Sequence, residues 1–235
     1  MKLGTMPEWS GNQDFGYRFR HYIMACTCGP LVYVRSLKTA STFFYHNLVQ
    51  HYGWSEINFN DVDWDRQRVF SHIIDPVERR HKAFAEYLTM TGNAELFYSN
   101  PNFRRMLTTL PLLDVHSVSL HNYFGSRTRN IDWIPLTASH SDNICVTERI
   151  LDEYAGTQQH KWNMEFVHAS HKEKQQLAQD LKTDWDTARK NNNIPEVSML
   201  YLEHDINLYC SVVQYFNPRG GNWDQCSWLD RSHRG

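Results

Sequence analysis

The sequence predicts an α/β fold with a central parallel sheet and a helix-rich C-terminal part, on two observations. Leu31-Val-Tyr-Val-Arg35 reads as a buried strand that enters a polar turn and then a helical segment, Phe43–Gln50. Arg68–Ile74 reads as a second strand with a helix start directly behind it at Asp75. Two strand-to-helix units in succession suit a parallel sheet with crossover helices, and such sheets bind ligands beyond the carboxyl ends of their strands.

Each element has its own local signal. Residues 1–22 are polar and aromatic without periodicity, so an irregular N-terminal arm is expected there. Gly29-Pro30 breaks the chain before the first strand. Phe44, Leu48 and Tyr52 recur at helical spacing and pack the first helix back on that strand. At the second junction Asp75 is the N-cap, Pro76 takes the first helical position, and Glu78 stands three residues after the cap. This helix turns Ala83, Phe84, Tyr87 and Leu88 inward and ends near Gly92. Further helices are expected over Asn102–Leu110, over Val146–Tyr154 with Gly156 past its end, from a Ser170 cap with Glu173, and from Pro195 to Phe216. Residues 217–235 have no period and form a C-terminal arm.

Composition bounds the function. With 235 residues the chain suits a single domain, and 24 Lys+Arg against 26 Asp+Glu leave a net charge of −2. A protein built mainly to hold nucleic acid carries a basic excess, so no nucleic-acid partner is expected and any anion site must be local. At 41% hydrophobic and 21% charged residues, the chain is not a disordered polyelectrolyte. No stretch reaches the apolar length that crosses a bilayer, and Met1–Ser10 lacks a signal core, which predicts a soluble, cytoplasmic or otherwise unexported protein without a membrane partner. Five cysteines, an odd number, predict reduced thiols. The 12 Phe, 12 Tyr and 8 Trp exceed what composition explains.

The first junction carries the chemistry. A polar turn that opens a helix offers backbone N–H groups and the positive end of a dipole, which favour phosphate or sulfate. Lys38, Thr39, Ser41 and Thr42 add a cation and three hydroxyls. The loop is not a Walker A motif, because Leu37 stands where that motif has Gly before its Lys. Arg35-Ser-Leu-Lys-Thr-Ala-Ser-Thr-Phe43 resembles the 5′-phosphosulfate loop of sulfotransferases that use PAPS (3′-phosphoadenosine 5′-phosphosulfate), particularly the carbohydrate type. Val69-Phe-Ser-His-Ile-Ile-Asp-Pro-Val-Glu-Arg79 is similar to the second signature of that family. Asp114-Val-His116, Ile131-Asp-Trp-Ile134 and Leu200–Tyr209 also fit, so the resemblance spans about Val32 to Phe216.

The resemblance implies a P-loop-like three-layer core and sulfuryl transfer from PAPS to a hydroxyl, with a carbohydrate or small-molecule acceptor and no required metal. Lys38 would contact the bridging and sulfuryl oxygens. The loop from Arg35 through Lys38, Thr39, Ala40, Ser41 and Thr42 would hold the 5′-phosphate, and Arg79 the cofactor beside it. Ile74 stands where the family has a 3′-phosphate-binding Arg, and Lys82 where it has a Ser, so Lys82 is the candidate to restore that charge. The acceptor needs a general base, for which His116 ranks first, His51 second and His121 third, with Asp61 and Asp63 as acidic alternatives. Trp54, Trp64, Phe97 and Tyr123 are candidates for lining the acceptor site. Arg127 and Arg129 could grip an anionic ligand, and His168 and His171 are a weak metal pair. Two other classes fit less well: a nucleotide-dependent phosphotransferase, and a non-catalytic binder of carbohydrate or nucleotide.

Overall fold

Met24–Cys28 (β1) and Leu31–Val34 (β2) form a hairpin closed by Gly29 and Pro30, with Cys28 opposite Leu31 and Gly29 at φ 57°. A two-residue hairpin loop needs positive φ, which Gly adopts without strain. The structure is a computed structural model and describes residues 23–113, 115–136, 140–155, 161–164 and 172–216. Both expected arms, Gly156, Ser170, His168 and His171 lie outside the described residues.

Helix α1 follows at Ser41–His46 and widens into a π-helical turn, Asn47–His51. Then come β3 (Ser55–Asn58), a 3-10 turn at Phe59–Asp61 and β4 (Arg68–Ile73). Helix α2 covers Pro76–Met90, α3 Ala94–Ser99, α4 Pro101–Thr109 and α5 Leu120–Phe124. Strand β5 is Ile131–Pro135, and helices α6 (His140–Ala155), α7 (Lys172–Lys190) and α8 (Glu196–Phe216) complete the order. The Asp75 carboxylate caps α2, accepting from Val77 N–H at 2.8 Å and Glu78 N–H at 3.0 Å. Asn100 caps α4 in the same way, and the helix starts at Pro101, one residue ahead of the expected Asn102.

Among the described residues five strands form one sheet in the order β3-β1-β2-β4-β5. The β2–β4 and β4–β5 pairs are parallel, whereas β1 is antiparallel to both β2 and β3. The expected parallel sheet is therefore mixed. The tight Gly29-Pro30 turn forces β1 to run against β2, and β3, antiparallel to β1, again shares the direction of β2.

Helices cover both faces, and the two-residue strand period assigns them. On one face Leu31, Tyr33, Phe70 and Ile134 pack with Phe43, Phe44 and Leu48 of α1 and with Ile150 and Leu151 of α6. On the other, Val32, Val34, Val69 and Trp133 pack with Tyr123 and Phe124 of α5 and with Tyr209 and Val213 of α8. No helix among the described residues is long and apolar enough to cross a membrane.

The connections set where a ligand can lie. The chain leaves β2 through α1 on the first face and moves toward β3. It leaves β4 toward β5 and reaches it through α5 on the second face. Between the carboxyl ends of β2 and β4 the chain thus diverges to opposite faces, the topological position at which α/β sheets form their ligand crevice.

Candidate functional site

The loop after β2 forms one wall of this crevice. Lys38 and Ala40 are non-glycine residues in the left-handed region, at φ 64° and φ 52°. Such geometry costs on the order of 1–2 kcal/mol per residue and persists only where neighbours enforce it. Buried hydroxyls do so. The Thr39 hydroxyl donates to the Ser36 carbonyl at 2.8 Å, that of Ser36 to the His72 carbonyl at 2.6 Å, and that of Ser71 to the Val34 carbonyl at 2.7 Å. Loop and β4 are thereby tied together beneath the crevice. Ala40, at the N-cap of α1, supplies no side-chain acceptor to the first-turn N–H groups.

The opposite wall is one face of α2. Glu78, Lys82 and Glu86 succeed one another at i, i+4 and share that face. Lys38 Nζ lies 3.2 Å from Glu86 Oε1, Lys174 Nζ of α7 lies 2.6 Å from Glu86 Oε2, and Lys82 pairs with Glu78 at 2.6 Å. Burial pushes the Glu86 carboxyl up, but Lys174 and Lys38 more than offset it and hold it below the usual carboxylate range. Lys38, Lys174 and Glu86 together carry a net charge of +1.

The expected loop residues divide into two groups. Lys38 reaches the crevice and Ala40 is exposed at its edge. The Thr39 hydroxyl is buried and engaged below the loop, and Ser41 is buried at the start of α1. Arg35 turns toward Thr42, donating to its hydroxyl at 2.7 Å, with its guanidinium 5.9 Å from the centre of the Tyr45 ring.

At the second junction the side chains point differently from the expectation. Arg79 is 2% exposed, and its guanidinium donates to the carbonyls of His116 and Val118 and pairs with Asp205. It anchors the segment before α5 rather than lining the crevice. Ile74 is 6% exposed and packs in the core beneath α1 and α6. Lys82, half-exposed on the crevice face of α2, is the one of these three residues open to an anion.

The base candidates are spread out. His116 is half-buried, and its carbonyl is tied to Arg79 at 3.5 Å, on the second face of the sheet. His51 is exposed at the far end of the π-helical turn, just before Ser55, which pairs with Thr27 near the amino end of β2; this is the edge opposite the crevice. His121 stacks on His204 at 4.4 Å, and burial together with His204 lowers its pKa. Asp61 and Asp63 are exposed on the connection before β4.

Three of the aromatic acceptor candidates are core residues instead. Trp54, Phe97 and Tyr123 are 8%, 0% and 2% exposed, because segments read as loops are β3 with its approach, α3 and α5. Trp64 is half-buried and carries the Arg127 guanidinium 5.1 Å above its ring, so this arginine has an aromatic partner. Arg129 is exposed. Among the described residues no group of three or more His, Cys, Asp or Glu could hold a metal ion.

Sequence reasoning missed Glu86 and Lys174. The i, i+4 series from Glu78 was a visible signal for Glu86, whereas nothing near Lys174 announces it. Compared with known proteins, the chain matches no family model, no curated protein and no solved structure.

Proposed function

We propose that the protein is a PAPS-dependent sulfotransferase acting on a hydroxyl acceptor, a carbohydrate. One observation carries this reading. The two segments that resemble the sulfotransferase signatures lie at the carboxyl ends of the neighbouring parallel strands β2 and β4, where the chain diverges to opposite faces. The donor set fits an anionic cofactor: a strained loop with an uncapped helix start, Lys38 and Lys174 around one carboxylate, and Lys82 on the facing helix.

When bound, the donor supplies the sulfuryl group, whose transfer makes an O–S bond to the acceptor and breaks the S–O bond to the 5′-phosphate. The chain's own residues position and neutralise. The backbone of the loop from Lys38 to Thr42 holds the 5′-phosphate, and Lys38 meets the negative charge that builds on the departing phosphate. Lys82 serves the 3′-phosphate as a point charge in place of an arginine fork. The family resemblance, rather than the geometry, assigns His116 to take the acceptor proton.

Transfer of labelled sulfate from PAPS to a panel of sugars tests the reading. The wild-type protein is expected to label a sugar hydroxyl, and Lys38→Ala to lose that activity by at least about a hundredfold while still binding 3′,5′-adenosine bisphosphate. Normal transfer by Lys38→Ala would remove that residue from the mechanism. Phosphoryl transfer from ATP, without sulfuryl transfer, would replace the assignment.

A further inference from the structure

Glu86 is an unexpected group for an anion site. A carboxylate beside a phosphate-binding lysine repels the ligand that the lysine attracts, and α2 places it 3.2 Å from Lys38 Nζ. Lys174 fixes it there from the other oxygen, and the acid is less than a quarter exposed. Glu78 and Lys82 pair with each other, and Asp75 faces the N–H groups that open α2.

We infer that Glu86 is a specificity residue that selects a donor whose terminal group carries a single negative charge, a sulfuryl group, against one carrying two, a phosphoryl group. The inference rests on the donor site proposed above. Glu86 offsets one of the two lysines that hold it, and a terminal sulfuryl group carries a single negative charge, whereas a terminal phosphoryl group carries about −1.5 to −2 near neutral pH. The two groups have nearly the same shape, so hydrogen bonding and packing discriminate poorly between them. Charge does so, because a repulsive element acts most strongly on the more highly charged competitor. Loss of the Glu86 charge would make the site more positive by one charge and favour the phosphoryl form.

Calorimetric affinities of PAPS and of 3′-phosphoadenosine 5′-diphosphate, measured without acceptor at low salt, test this. The wild-type protein is expected to prefer PAPS, and Glu86→Gln to shrink that preference by about tenfold, chiefly by tighter binding of the diphosphate. Lys174→Met lowers the local sum instead, so it should widen the preference; this second variant decides the matter if Glu86→Gln fails to fold. Binding of both nucleotides with an unchanged ratio in the variants overturns the role of Glu86 alone. Binding of neither nucleotide by the wild-type protein overturns the donor site, and this inference with it.

Discussion

Arg79 of α2 and Asp205 of α8 meet inside the protein, 3.5 Å from Nη2 to Oδ2, with both side chains no more than 2% exposed. Asp205 also accepts from the N–H groups of Leu120 at 2.7 Å and His121 at 3.0 Å, while the Tyr201 hydroxyl accepts from Ser119 N–H at 3.0 Å. Tyr201 and Asp205, four apart on α8, thus hold the start of α5, and Arg79 holds the carbonyls just before it. Two segments far apart in the sequence prove to be one structural joint.

Breaking that joint from one side should be costly. Removing one partner of a buried ion pair costs about 3–5 kcal/mol, because the other charge stays dry and uncompensated. Urea denaturation should show such a loss for Arg79→Met and for Asp205→Asn, with the double variant losing clearly less than the sum. Strict additivity would mean that the two residues act independently.

Lys82 is open to ligand, whereas Arg79 and Ile74 are not. Lys82→Met should therefore weaken 3′,5′-adenosine bisphosphate about tenfold and leave adenosine 5′-phosphate almost unchanged. Equal losses for both nucleotides would place Lys82 away from the 3′-phosphate.

Acid should unfold the protein through its buried histidines. Burial pushes His72 down to about 3 from an ordinary 6.5, and burial, followed by Arg80 and Lys182, lowers His81 as well. Both are neutral in the fold and take up a proton on unfolding. Their contribution is fully present above 6.5 and is lost as the pH falls toward the folded pKa, with a slope of up to about 1.4 kcal/mol per pH unit for each histidine. His72 is held by the hydroxyls of Tyr33 at 3.1 Å and Thr147 at 3.0 Å, but neither ring nitrogen of His81 has a hydrogen-bond partner among the described residues. His81→Leu should hence raise the melting temperature and flatten the acid limb; an unchanged limb would absolve His81.

Thiol labelling followed by mass spectrometry should separate the four described cysteines. Cys28 and Cys145 are exposed and should react in the native protein. Cys26 and Cys210 are buried, and burial, with Glu56 behind it, raises the Cys26 thiol further from reactivity. Both should label only on unfolding. Fast labelling of Cys26 would contradict its place in the sheet.

The sequence by itself determined the elements whose signals are adjacent letters. The apolar run at Leu31–Val34 and the trio Asp75, Pro76 and Glu78 express backbone preferences that act within one turn or strand, and both survive in the fold. The loop at Lys38 was legible for the same reason. Only the tertiary structure decided what depends on distance in space. Strands β1 and β3 are strands because they pair, as the exposed Ser55–Asn58 segment illustrates. Trp54, Phe97 and Tyr123 are core because helices and strands close over them, and Arg79 turns inward because Asp205 waits 126 residues away. Lys174 reaches Glu86 across 88 residues of chain. Burial and charge pairing are sums over neighbours in space, and no stretch of sequence contains those neighbours.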